Sequence, residues 1–145
     1  MVLDTSNKNK NIVLLINDLV GKPFSFIQLL KMKGSFSKKM IIADAGVNMS
    51  IYLNKANAVT RADIELRPLG ILIRIFKGIK TFTWVVPFYQ LVLYKKDCSS
   101  IHAHGRFLRF KKDHIFEKNK AFFHKLLNVK AAYESKYGSL KYSGS

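Results

Sequence analysis

His102 and His104 stand two apart, so on a β-strand both imidazoles would face one side, where they could share a metal ion with a third ligand from Asp97, Cys98 or His114. A stable zinc site uses three or four protein ligands, and the plainer reading is a pair of half-exposed histidines at a strand end. Cys98 and His102 have the composition of a nucleophile and base, but no third group orders them and no glycine-rich oxyanion loop stands beside them. Asp63 and Glu65 fall on one strand face as an acid–base pair would. Arg61 and Arg67 flank them, and charge pairing on that face or across strands explains them more simply. Gly70, Gly78 and Gly105 are isolated turn glycines, so there is no phosphate-binding loop. No constellation supplies nucleophile, base and oxyanion donors together. The chain reads as a non-enzyme with no cofactor and no metal.

Basic residues beside aromatics suggest binding chemistry instead. Arg106, Arg109, Lys111 and Lys112 form the densest basic run that also holds aromatics, Phe107 and Phe110. Such a mixture suits single-stranded nucleic acid, because bases stack while cations track phosphates. Alternation places Leu108 and Phe110 with Arg106, and Phe107 with Arg109 and Lys111, so at least one phenylalanine belongs to the core. The default for the basic face is solvation. Lys38 and Lys39 join these four, and the six are the candidate anion- or partner-binding residues. Lys31, Lys33, Lys38 and Lys39 beside apolar residues 24–30 also resemble an interfacial helix on an anionic membrane. The modest length of that segment favours a helix packed on the rest of the domain.

The elements that must position these groups follow from periodicity. Residues 1–10 are polar and read as loose. Ile12, Leu15, Ile16 and Leu19 have helical spacing and Gly21 can end that helix, although Val13–Ile16 also reads as a buried strand. Pro23 fits the first turn of a second helix carrying Phe26, Ile27 and Leu30. Residues 34–39 read as a linker. Strands are expected at 40–44, 47–53, 61–67, 71–76, 82–86, 89–95, 101–104 and 106–111, with turns at Ala45-Gly46, Pro68-Leu69-Gly70 and Lys77-Gly78. Residues 54–60 form a polar connection. One amphipathic helix over 117–137 carries Phe122, Phe123, Leu126, Leu127, Val129 and Tyr133, and Gly138 can close it.

At 145 residues, 48% hydrophobic and 12% aromatic, the chain can build one core. Its formal net charge is +16, from 25 Lys and Arg against 9 Asp and Glu, which favours polyanionic partners. Twenty of the basic residues are Lys and five are Arg, a balance that a Lys- and Asn-rich composition produces without functional demand. One cysteine excludes an intrachain disulfide and fits a reducing, cytoplasmic setting. No apolar run approaches the roughly 20 residues of a bilayer span, and the N-terminus has no signal-peptide pattern.

The strands from Met40 to Lys112, the stretch Trp84-Val85-Val86-Pro87-Phe88-Tyr89 within them, and the helix 117–137 resemble the pleckstrin-homology-like fold of bacterial members, over about two thirds of the chain. The resemblance implies an α+β, mainly antiparallel β domain: a partly open barrel of two orthogonal sheets, capped by a C-terminal helix. An N-terminal helical segment (1–36) would precede the barrel domain (37–138), and 139–145 would be a flexible tail. The Lys/Arg-x-Arg of phosphoinositide-binding members has no counterpart after the first hairpin. The resemblance therefore implies a binding or scaffolding module for a protein or an anionic membrane surface, and no particular headgroup. The other expectation is nucleic acid bound on the basic strand face.

Overall fold

Alternation in Arg61–Arg67 sends Ala62, Ile64 and Leu66 to one side of a strand. The computed structural model, which describes residues 1–55, 58–94 and 97–138, buries that side fully. In chain order the elements are β1 (Val2–Asp4), α1 (Lys10–Val20), α2 (Phe26–Met32), β2 (Met40–Ala45), a 3-10 helix (Val47–Tyr52), β3 (Arg61–Arg67), β4 (Gly70–Lys77) and β5 (Lys80–Pro87). Then follow β6 (Val92–Leu93), β7 (Ser100–Ala103), β8 (Arg106–Phe110), α3 (His114–Lys118), α4 (Lys120–Tyr133) and a π turn (Glu134–Gly138). The strands order β1-β5-β4-β3-β2-β8-β7-β6, and every ladder is antiparallel. The sheet does not close, since β1 and β6 are its two edges. The class is α+β with a C-terminal helix, as expected.

Tight turns explain the centre of the sheet. β3, β4 and β5 run as a meander in unbroken register, from Arg67↔Gly70 to Lys77↔Lys80. β2 joins two ladders: Met40 and Ile41 pair with β3, and after a bulge at Ala43 the strand turns to pair with β8. Ile64, Leu66, Ile71, Ile73, Ile75, Trp84, Val86, Leu108 and Phe110 form one core, which α3 and α4 cover with Phe116, Phe122, Phe123 and Leu126.

The other face of β3 is charged and also buried. Arg74 of β4 makes two bonds to Asp63, Nε–Oδ1 at 2.8 Å and Nη2–Oδ2 at 2.7 Å. Arg67 Nε donates to Glu65 Oε2 at 2.5 Å. Its Nη1 donates to Asn17 Oδ1 at 3.0 Å and to the Gly21 carbonyl at 2.8 Å. A guanidinium therefore sits at the C-terminal end of α1, where the exposed carbonyls carry partial negative charge. Charge pairing does account for Asp63 and Glu65, with Arg74 as the cross-strand partner. α1 itself starts on the Asn9 side chain, ends at Gly21 with φ 86°, and packs Ile16 and Val20 against Leu72 and Val85.

Several expected elements differ. Residues 1–10 are not loose throughout, because Val2, Leu3 and Asp4 pair with Trp84, Thr83 and Phe82. Residues 47–53 are not a strand: Met49 N–H bonds the Gly46 carbonyl, Leu53 N–H bonds that of Ser50, and Met49 is buried with Tyr52 beside the core. That spacing of three is the 3-10 period. The strand expected over 89–95 shrinks to Val92–Leu93, since Gln90 and Leu91 N–H turn back to the Pro87 and Phe88 carbonyls. Pro23 precedes α2 and is not in its first turn, and Ser25 caps the helix in a reciprocal box with Gln28. The segment 34–39 is no free linker, for Ser35 and Ser37 exchange backbone bonds with Leu66 and Ile64 of β3. The closing helix breaks at Asn119, whose side chain accepts from Lys38 N–H at 2.8 Å. The tail at 139–145, part of the 54–60 connection and the end of the 89–95 strand lie outside the described residues.

Gly70 shows how closely these parts meet. A Cβ there would lie 2.4 Å from the Val86 carbonyl oxygen and 2.7 Å from Val20 Cγ1. Gly70→Ala is expected to lower stability by about 1–3 kcal/mol, read as a drop in the urea midpoint with an unchanged slope. Arg67→Met, which leaves Glu65 buried without its cation, is expected to cost about 3–5 kcal/mol. Adding Glu65→Leu to that variant should restore most of the loss in the same urea series.

Candidate functional site

Two surfaces gather unpartnered binding chemistry. The first is α2. Its sequence is amphipathic, yet none of its residues is buried: Phe26 is 74% exposed and Ile27 and Leu30 are each 65% exposed. The side carrying Phe26, Ile27 and Leu30 is therefore left open, while Met32 at the end of the same helix rests against the core. Lys22, Lys31 and Lys33 are all exposed around this apolar patch. Short as it is, α2 is held firmly at both ends. Ser25 and Gln28 cap its start. At its finish Lys33 takes φ 60°, and Lys125 of α4 donates to the Lys33 and Gly34 carbonyls at 3.2 and 3.0 Å. Burial and the charge of Lys33 lower the Lys125 pKa. Val13 and Leu14 of α1 add further exposed apolar surface.

The second surface is the outer face of β6–β8. Leu108 and Phe110 go to the core and Phe107 goes outward with Arg109, as alternation expects. Phe107 lies opposite His102, and Arg109 opposite Ser100. The His102 ring stacks on Phe107 at 5.3 Å and 18°, and meets Tyr94 edge-on at 4.4 Å and 89°. Ser100 Oγ and His102 Nε2 share a hydrogen bond of 2.6 Å, which fixes the imidazole plane. Partial burial lowers the His102 pKa, so the ring is neutral at neutral pH. Gly46 lies so near the Phe107 ring that a Cβ there would stand 3.3 Å from it.

The six candidate basic residues are only partly brought together. Arg109, Lys111 and Lys112 line one shallow cavity of about 290 Å³ with Ala43, Ser99 and Phe110. Arg109 faces Asp44 at 3.7 Å, and Lys112 pairs with Asp97 at 2.6 Å. Arg106 is not part of this group, because its Nη1 donates to the Asn48 carbonyl at 2.6 Å and supports the 3-10 helix. Lys39 lies 4.1 Å over the Phe76 ring, and Lys38 is exposed with its backbone held by Asn119. The exposed apolar face of α2 is the alternative that the sequence raised and ranked below a packed helix, and the ring row of Tyr94, His102 and Phe107 is the feature sequence reasoning missed. The row had a signal, since Phe107 already shared its face with Arg109 and Lys111.

The catalytic alternatives do not assemble. His104 sits in the β7–β8 turn with φ 48°, while His102 is engaged by Ser100 and the rings. Among the described residues no group of three or more His, Cys, Asp or Glu could hold a metal ion. Cys98 is fully buried; burial, and then the Asp97 charge, push its thiol up to about 11. Burial alone would also raise Asp97, but hydrogen bonds from Lys112 and the Ser99 N–H hold it at about 2. Cys98 is therefore no activated nucleophile. In the folded protein at pH 8, its alkylation by iodoacetamide should run roughly 100-fold slower than in the urea-unfolded chain, as followed by mass spectrometry.

No protein-family model, curated protein or solved structure matches this chain, so both surfaces are read from their own chemistry.

Proposed function

We propose that the protein is a non-catalytic binding module of the pleckstrin-homology-like type that attaches peripherally to an anionic membrane surface, on the cytoplasmic side. The observation that carries this reading is α2: three large apolar side chains exposed on one capped helix, with exposed lysines at both ends. The antiparallel strands capped by a C-terminal helix support the pleckstrin-homology-like part of the reading. The net charge of +16 supports an anionic partner.

The magnitudes favour reversible attachment. Each apolar side chain gains roughly 1.5–3 kcal/mol if buried fully, and each lysine near an anionic surface adds about 1 kcal/mol. Seven residues make a helix only about 10 Å long, too short to be stable in water alone. The capping box and the Lys125 contacts supply what an isolated peptide would lack. No helix among the described residues is long and apolar enough to cross a membrane, so the attachment is by surface contact.

Sedimentation with vesicles containing 30% anionic lipid tests this at 0.1 M salt. The wild-type protein is expected to co-sediment with these and to stay in the supernatant with neutral vesicles. Phe26→Ser with Ile27→Ser should cut binding by at least about tenfold without shifting the thermal midpoint, since neither side chain is buried. Equal, negligible binding to both vesicle types would remove the membrane reading and turn the α2 patch into a contact for a protein.

A further inference from the structure

The second surface differs in kind from α2. Rings predominate on it, beside the single exposed aliphatic Val92 opposite His102, and they lie on a sheet face rather than a helix. Tyr94, His102 and Phe107 form a row across neighbouring strands, with Tyr94 72% exposed at its outer end. Arg109 follows two residues after Phe107 on the same strand, so the two start from one side of the sheet, and Lys111, just past the end of β8, lines a shallow cavity with Arg109. A row of rings bordered by cations fits a ligand of alternating flat faces and negative charges.

We infer that the outer face of β6–β8 docks single-stranded nucleic acid, with a base stacked on Tyr94, which the His102–Phe107 pair supports, and phosphates held by Arg109 and Lys111. A bilayer would want aliphatic depth, of which α2 offers Ile27 and Leu30, each 65% exposed, and this face only the less exposed Val92. Duplex nucleic acid keeps its base faces stacked on one another and has none to give the rings. His102 and Phe107 stack on each other, and the Ser100 hydrogen bond holds that pair in place, so the exposed Tyr94 ring that meets His102 edge-on has a fixed support before a ligand arrives. The Asp44–Arg109 contact at 3.7 Å joins two well-exposed side chains, and such a pair yields readily to a phosphate. This inference is independent of the membrane reading, because it uses none of the α2 residues.

Fluorescence anisotropy with a labelled 15-nucleotide oligouridylate, against the same length as duplex, tests it at 0.15 M salt. The expected result is tighter binding of the single strand. Tyr94→Ala should weaken it roughly 5- to 100-fold with an unchanged salt slope, since base stacking contributes about 1–3 kcal/mol per base. Arg109→Gln should instead reduce the salt slope by about one phosphate. Tyr94 is largely exposed, so its variant should fold, and circular dichroism confirms that. Equal affinity for duplex and single strand, or a Tyr94→Ala affinity equal to wild type, would overturn the inference. So would loss of vesicle binding in Tyr94→Ala with oligonucleotide binding unchanged. The double serine variant of α2 should bind oligonucleotide normally, which separates a failure of one surface from a failure of the other.

Discussion

Asp63, Glu65 and Arg67 are buried on the second face of β3, and charges removed from water must find partners or be neutralised. That requirement organises the N-terminal half of the molecule. Asp63 takes the fork of Arg74, which fastens β4 to β3 by side chains as well as by the ladder. Glu65 and Arg67 pair with each other, and the spare donors of Arg67 reach the end of α1. The apolar contact of α1 is a small cluster, Ile16 and Val20 on Leu72 and Val85 with Leu3, Ile12 and Leu19 beside them, and the guanidinium adds a polar tie at the end of the helix. The segment at 35–37 then lies along β3 and carries the chain to β2. A polar strand face thus does the positioning that a second apolar core does in other sheets.

The charge of the protein divides into two populations. Arg67 is an internal strut, Arg74 a half-exposed one, and Arg106 and Lys112 each hold a neighbouring loop. Most lysines remain on the surface and set the long-range field. A field of that sign raises encounter rates with any polyanion and selects none of them. Discrimination must come from the uncharged groups beside it, and the two surfaces differ there: aliphatic side chains and one phenylalanine on α2, a ring row on the sheet.

The sequence revealed most where period and turn chemistry agreed. The 61–87 meander was legible because Pro68-Leu69-Gly70 and Lys77-Gly78 punctuate clean alternation, and the His102 to Phe110 hairpin was legible for the same reason. The 3-10 helix at 47–52 was not, since Val, Met, Ile and Tyr there mimic a strand and only the loop bonds of Gly46 and Ser50 decide otherwise. β1 was hidden because three residues cannot show a period, and its partner is some 80 residues away in the chain. The exposure of α2 was hidden for a different reason. Amphipathicity tells which side of a helix is apolar, and says nothing about whether the protein itself covers that side. The Tyr94–His102–Phe107 row needed the register of β6, β7 and β8, which no local pattern supplies.

The double pairing of β2 has a bearing on how the chain is made. Its first residues meet β3 soon after synthesis, but Ala45 waits for Leu108, about 60 residues later, or roughly 3–12 s at ordinary elongation rates. During that interval one rim of the nascent sheet has open hydrogen-bonding groups, and the core residues of β3 to β5 lack their helical cover. The exposed charge and the shortness of β1 and β6 protect the finished molecule from edge-to-edge association. The ribosome-bound intermediate already carries most of that charge but lacks β8, so its open rim at Ile42 to Ala45 persists until Leu108 has been made.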